Sequence, residues 1–216
     1  FESDTSMWSN LIEKGADLVR RKHILVTLFD EEAEAILDKY SLNGSIVTPE
    51  EGDYVYPVHT NLGGDKTNWF VSKDVTHKLD KEGDRWVKTV DLEYKYEPKG
   101  GEYDILVKRF QDWMRLYVPQ GSELISLEGS LDEAGTVEVE DLNKTYFHGF
   151  TALQPNEVSH MVFKYYLPEG VVEGDKYNLF VQKQPGTNGE THTVVVNGEQ
   201  KAQFTLDTNK EISVDL

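Results

Sequence analysis

The chain of 216 residues contains no cysteine. That absence removes disulfide frameworks, thiolate zinc sites, Fe–S clusters and cysteine nucleophiles together, so any chemistry must come from Ser, His, Asp, Glu, Lys or Tyr. Positive charge is also scarce: 22 Lys plus Arg stand against 39 Asp plus Glu, a formal charge of −17. Binding to phosphate backbones or anionic lipid begins with clustered Lys and Arg, so no nucleic-acid partner is expected. No apolar run reaches the ~20 residues that span a bilayer, and no direct membrane insertion is expected. The opening FESDTSMW has no basic n-region, apolar h-region or initiator Met, and reads as a piece cut from something longer. Aromatic residues, by contrast, are plentiful. With 4 Trp, 11 Tyr and 9 Phe the chain has material for a core, in one large domain or two small ones.

The first forty-odd residues carry helical periodicity. Ser6 or Ser9 can cap a helix with Trp8, Leu11, Ile12, Ala16, Leu18 and Val19 at three- and four-residue spacing, ending in Arg20, Arg21 and Lys22. His23 to Phe29 (HILVTLF) is a continuous apolar run, as expected of a strand covered on both faces. Asp30 caps a second helix with Ala33, Ile36, Leu37 and Tyr40 facing inward, and Asn43-Gly44 stops it. From Val47 onward the period becomes two. Strands are predicted at Tyr54–Val58, Trp69–Leu79, Trp86–Tyr96, Phe110–Val118, Leu124–Leu127, Tyr146–Ala152, Val158–Leu167, Tyr177–Gln184, Thr191–Val196 and Gln203–Leu206. Asn197-Gly198 is a strong hairpin signal. Short strands separated by Gly, Pro and Asn turns argue for a β-sandwich. The acidic residues cluster at Pro49–Asp53, Ser130–Asp141 and Glu169–Asp175, between predicted strands, so the charge is expected to coat loops and not to line one cleft.

The fingerprints G-x-S-x-G, G-x-x-x-x-G-K-[ST], G-x-G-x-x-G and H-E-x-x-H are all missing. His23, His59, His77, His148, His160 and His192 are dispersed, with no pair spaced to present two imidazoles to a metal from one element. Asp80, Glu82 and Asp84, and Asp132, Glu133, Glu138, Glu140 and Asp141, lack the spacing of a calcium loop and read as solvated tips. No catalytic residue, metal or cofactor is therefore assigned. The most site-like stretch runs from His59 to Asn68. There Gly63 and Gly64 permit successive backbone N–H groups to point into one concavity, and Lys66 offers a positive charge to a polar or anionic ligand. The same residues also serve a wide connection, since Asn61, Gly63 and Gly64 tolerate positive φ. His59, Asn61, Gly63, Gly64, Lys66 and Asn68 are the candidate ligand-binding set. Pro185-Gly186, in Gln182–Thr187, fits a type II turn. Trp113, Arg115 and Tyr117 share one strand face, opposite Met114, Leu116 and Val118, and suit a sandwich core or an inter-domain contact better than a sugar platform.

In order, RKHILVTLFDEEAEAILDKYSLNGSI, VHTNLGGDKTNWFVSKDV, MRLYVPQGSEL, FHGFTALQPNEVSHMVFKYYLP and YNLFVQKQPGT resemble the C-terminal half of a bacterial envelope-protein family, domain of unknown function 4012. The motifs that carry most of the resemblance are Asn61 to Asn68, Arg115 to Ser122 and Gln182 to Thr187. It implies an exported piece of a longer protein with an N-terminal membrane segment and an upstream domain similar to LytR-CpsA-Psr glycopolymer transferases. The Glu-x-Arg motif of that upstream half, followed by paired Gly and an aromatic, is absent here. The expected architecture is α+β, mainly β. A small α/β segment over residues 1–80 would complete an upstream domain, followed by an immunoglobulin-like antiparallel β-sandwich over 81–216. The expected function is a non-catalytic structural or recognition module at the bacterial cell surface. Its partners would be other domains of the parent protein and cell-wall glycan or a surface protein. Two alternatives stand beside it: an accessory domain of a LytR-CpsA-Psr-like transferase, and a carbohydrate-binding module using exposed aromatics. Burial of Trp69, Trp86 and Trp113 would remove the sugar platform, and a deep pocket joining His59, Asn61 and Lys66 to carboxylates would favour an enzyme.

Overall fold

From residue 53 onward, strict alternation of inward apolar and outward polar side chains gives the chain its strands. The computed structural model describes residues 5–98 and 106–216. The strands are β1 (Asp53–Asn61), β2 (Val71–Glu82), β3 (Arg85–Tyr96), β4 (Phe110–Pro119), β5 (Glu123–Glu128), β6 (Gly135–Val139), β7 (Lys144–Leu153), β8 (Val158–Tyr166), β9 (Lys176–Val181), β10 (Glu190–Val196), β11 (Glu199–Leu206) and β12 (Lys210–Asp215). They form two six-stranded sheets, ordered β12-β9-β1-β4-β7-β6 and β11-β10-β2-β3-β8-β5. A single core cluster joins their inner faces, with Val55, Met114, Leu116, Val118, Phe147 and Leu179 from one sheet against Val75, Val90, Leu92, Met161, Phe163 and Val194 from the other. Each such side chain removed from water stabilises the fold by roughly 1.5–3 kcal/mol.

Two features depart from a purely antiparallel sandwich. β1 pairs with β9, and β2 with β10, in parallel. Parallel neighbours need long crossovers, and both β9 and β10 arrive late in the chain beside strands laid down near its start. The segment between β9 and β10 therefore crosses from one sheet to the other, at the edge of the site described below. Residue 80, the expected division of the chain, lies inside β2, whose pairing with β3 runs unbroken from Val71 to Glu82. Gly83 begins the two-residue turn there with φ +62°, and Asn197-Gly198 closes the β10–β11 hairpin with both residues at positive φ.

The N-terminal part differs from the sequence expectation. Helix α1 (Thr5–Arg20) starts before Ser6 and Ser9, and its cap lies outside the described residues. Helix α2 (Glu31–Lys39) is capped as expected, with Asp30 accepting from Ala33 N–H, but buries none of its residues and ends ahead of Asn43-Gly44. The run His23 to Phe29 is not a strand, and Phe29 is fully exposed. Its backbone is tied to its own neighbourhood: Val26 N–H donates to Leu42 O and Leu28 N–H to Glu34 Oε2. With those groups committed locally, the run joins neither sheet. Two strands missed in the sequence are β6, inside the acidic stretch, and β12 at the end. Trp113, Arg115 and Tyr117 lie on the outer face of β4, so they do not form the sandwich core; Tyr117 sits there with Tyr54 and Tyr56 beneath Ile46 and Val47. Among the described residues, no helix is long and apolar enough to cross a membrane.

Candidate functional site

The alternation that builds the core also carries ionisable side chains inward. On β4, Asp112 shares parity with Phe110, Met114 and Leu116; on β2, Lys73 and His77 share it with Val75 and Leu79. On β10, Glu190 and His192 precede Val194 and Val196 on the buried side. His59 on β1 follows Asp53 and Val55, and Tyr94 on β3 lies in register with Lys73. These positions converge at one end of the sandwich, where the 61–70 and 182–189 connections frame an open cleft of about 980 Å³.

His59 and Asp112 form the centre of the cleft. His59 Nδ1 lies 2.6 Å from Asp112 Oδ2; the His59 side chain is 9% exposed and that of Asp112 fully buried. Asp112 Oδ2 also accepts from the Tyr94 hydroxyl at 3.2 Å, and Oδ1 from Thr60 N–H at 2.8 Å. Burial raises the Asp112 carboxyl, yet His59, Lys73 and the Thr60 amide outweigh it and hold the pKa below the usual carboxylate range. Gln184 fixes the His59 backbone by accepting its N–H at 2.8 Å and donating to its carbonyl at 2.9 Å, extending the β1–β9 ladder with a side chain. Beyond the ring, His59 Nε2 stands 4.0 Å from Glu190 Oε1 and has no hydrogen-bond partner among the described residues.

Glu190 is the second fixed charge. Lys73 Nζ is 3.0 Å from its Oε1, and His192 Nε2 is 3.8 Å from its Oε2. Burial opposes ionisation here as well, but Lys73, His192 and His59 win and carry the carboxyl far below its ordinary value. Behind it, His192 Nδ1 contacts His77 Nε2 at 2.8 Å with the rings stacked. Burial, with Lys88 and His192 adding to it, pushes the His77 pKa far down, so this imidazole is neutral. Deeper still, Lys88 meets Asp53 at 3.0 Å and both contact Tyr177, all of them fully buried.

The connections supply the rim. Asn61 is spent locally, accepting from Gly63 N–H at 3.0 Å and donating to Asp65 O at 2.7 Å and Thr67 Oγ1 at 3.2 Å. Gly63 N–H is thereby occupied, and the pair of glycines makes a turn, with Gly64 at φ +68°. Trp69 is 62% exposed on the cleft wall, with Lys66 Nζ 5.1 Å from its ring centre. Pro185-Gly186 turns as expected, with Gly186 at φ +75°, and its N–H donates to Lys22 O, which brings His23 to the opposite wall.

Of the sequence candidates, then, His59, Asn61 and Asn68 line the cleft, whereas Gly63, Gly64 and Lys66 do not. Lys73, Tyr94, Asp112, Glu190 and His192 were missed. Asp74, Glu97, Asp112 and Glu190 line the cleft, so the acidic charge is not confined to loops. Asp74 is held by Lys95 at 2.8 Å, Glu190 by Lys73, and Asp112 by His59, so three of the four carboxylates are internally paired. Trp86 and Trp113 are half-buried. No group of three or more His, Cys, Asp or Glu among the described residues is arranged to hold a metal ion.

No family model matches the chain, and no curated protein matches its sequence. Among solved structures, a Legionella pneumophila protein described as nutrient-binding aligns over 76% of this chain and 71% of its own, at 10% identity and a TM-score of 0.36. An M1 zinc metallopeptidase from Deinococcus radiodurans, in a mutant bound to a Tyr-Ser-Ala substrate, aligns over 67% of this chain and 39% of its own, at 11% identity and a TM-score of 0.32. Likenesses at this level carry no argument about the fold or the function of this chain.

Proposed function

We propose that the chain is a recognition module that takes the end of a hydroxyl-rich ligand, a glycan, into the cleft between the 61–70 and 182–189 connections. The observation that carries this reading is the cleft itself: about 980 Å³, with Trp69 exposed on its wall and rigidly held polar groups at its floor. Sugars are bound by this combination, an aromatic face against the ring's C–H surface and fixed donors and acceptors against its hydroxyls. In the same proposal the module belongs to a bacterial cell-surface protein, a reading supported by the resemblance to the domain of unknown function 4012 family. Its partners there are cell-wall glycan and the other domains of the parent protein. The proposal also holds the sandwich to be immunoglobulin-like, supported by two face-to-face sheets of mainly antiparallel strands.

Thermal-shift screening with neutral, amino and acidic oligosaccharides tests the reading, because a ligand that binds only the folded state stabilises it by about 2.7 kcal/mol at a hundred times its Kd. At least one oligosaccharide should raise Tm for the wild type and not for Trp69→Ala. No shift with any of them would end the proposal. The Asp112–His59 pair favours a second reading, an accessory domain of a LytR-CpsA-Psr-like transferase in which His59 helps to accept a ligand proton. Stimulation of such a transferase by the wild type but not by His59→Phe would support it, and equal stimulation by both would reject it.

A further inference from the structure

Asp112 is acceptor-only when ionised, and it takes the Nδ1 proton of His59 at 2.6 Å. In the uncharged ring this contact places the proton on Nδ1 and leaves a bare lone pair at Nε2. That atom is buried and has no hydrogen-bond partner among the described residues, although a buried unpaired acceptor costs roughly 1–3 kcal/mol. Tyr94 packs edge-on to the ring at 5.8 Å, and Gln184 holds the His59 backbone. Glu190 Oε1 lies 4.0 Å from Nε2, and Lys73 Nζ 3.0 Å from that oxygen. The other carboxylate oxygen faces His192, so Oε1 is the one that lies between Lys73 and His59 Nε2.

From this geometry we infer that the cleft reads a neutral vicinal diol: one hydroxyl donates to His59 Nε2, and its neighbour donates to Glu190 Oε1 while accepting from Lys73. The inference rests on the recognition reading above and specifies its ligand. A hydroxyl brings one donor and two lone pairs, so two of them on adjacent carbons satisfy both acceptors and use a spare N–H of the ammonium. A ligand carboxylate would bring only acceptors to a wall of Nε2, Glu190 and Asp112. A ligand ammonium has the donors, but its charge would sit against Lys73. The neutral diol is the one class of the three with no clash.

The test is isothermal titration calorimetry on the whole chain with methyl glycosides of glucose, galactose, mannose, glucosamine and glucuronic acid, and with deoxy analogues of the neutral ones. A neutral glycoside should bind more tightly than the amino and acidic sugars, and deleting either hydroxyl of its diol should weaken binding at least ~10-fold, the factor equivalent to about 1.4 kcal/mol. His59→Phe should weaken the neutral glycoside by a similar factor. Should that variant fail to fold, long-range ¹⁵N NMR of the wild type gives the readout: His59 Nδ1 stays protonated and Nε2 shifts as glycoside is added. Preference for a charged sugar, indifference to every deoxy substitution, or an unmoved Nε2 overturns the inference and leaves glycan recognition standing. Absence of binding by every glycoside overturns both.

Discussion

Lys88 is fully buried against Asp53 and Tyr177; burial lowers its pKa, and Asp53 works against that. Removing the lysine alone, in Lys88→Met, leaves Asp53 buried without its partner and should cost ~3–5 kcal/mol in urea unfolding, whereas the double change Lys88→Met with Asp53→Leu should recover much of that loss. Lys22 poses the opposite case. Its ammonium has no hydrogen-bond partner among the described residues, and burial, with Lys183 adding to it, lowers its pKa to about 8. Between pH 8 and the ordinary value of 10.5 the unfolded chain holds a proton that the folded one has released, so stability rises with pH across that window. Lys22→Met should abolish the rise and stabilise the protein at pH 7 by roughly 1–2 kcal/mol, seen as a pH-resolved series of unfolding curves. Asp112 and Glu190 titrate the other way. Both are depressed in the fold, so the stability they contribute is present above their unfolded values and is lost as pH falls through the folded ones. Glu190→Gln should flatten the acid limb of the stability curve. Of the cleft residues, His59, Asn61 and Asn68 stood out in the sequence. The others were legible in principle, as Asp, Lys, His and Glu on the apolar parity of Asp112-Met114-Leu116, Lys73-Val75-His77 and Glu190-His192-Val194. What hid them was distance: five strands from two sheets must assemble before they meet.

At the scale of elements, period-two alternation located the strands from β1 to β11 apart from β6, because one wet face and one dry face leave a strong imprint on sequence. β6 was hidden by its acidic composition, and at the sheet edge, paired with β7, it is largely exposed and carries little apolar imprint. His23 to Phe29 misled for the converse reason. A short apolar run looks the same whether or not a sheet receives it, and here Leu42 and Glu34 take up its backbone donors. Close approach between elements is visible at Gly129, after β5, where φ is +78° and an added Cβ would lie 1.8 Å from His160 O on β8. Gly129→Ala must displace backbone, so a loss of at least ~2 kcal/mol and a Tm lower by ~4–8 °C are expected in calorimetry. The parallel pairings of β9 and β10 left no trace in sequence, since parallel partnership depends on where a crossover lands.

For the whole molecule, the charge of −17 and the cleft pull in different directions. The surface is solvated acid, while the cleft holds three of its four carboxylates as pairs with Lys73, Lys95 and His59, so it presents oriented dipoles and lone pairs more than net charge. A cleft of that kind suits a neutral ligand, and binding should change little between low and moderate salt, unlike the binding of a charged sugar. Salt-dependent titration would check that expectation. The central claim is that this cleft, and no other surface, receives the ligand. Amide chemical-shift mapping of the wild type during titration with a neutral oligosaccharide tests it most directly: the account predicts perturbations gathered at His59–Asn61, Asn68–Asp74 and Gln184–Thr191, and perturbations centred instead on the outer face around Trp113, Tyr117 and Tyr146 would contradict it.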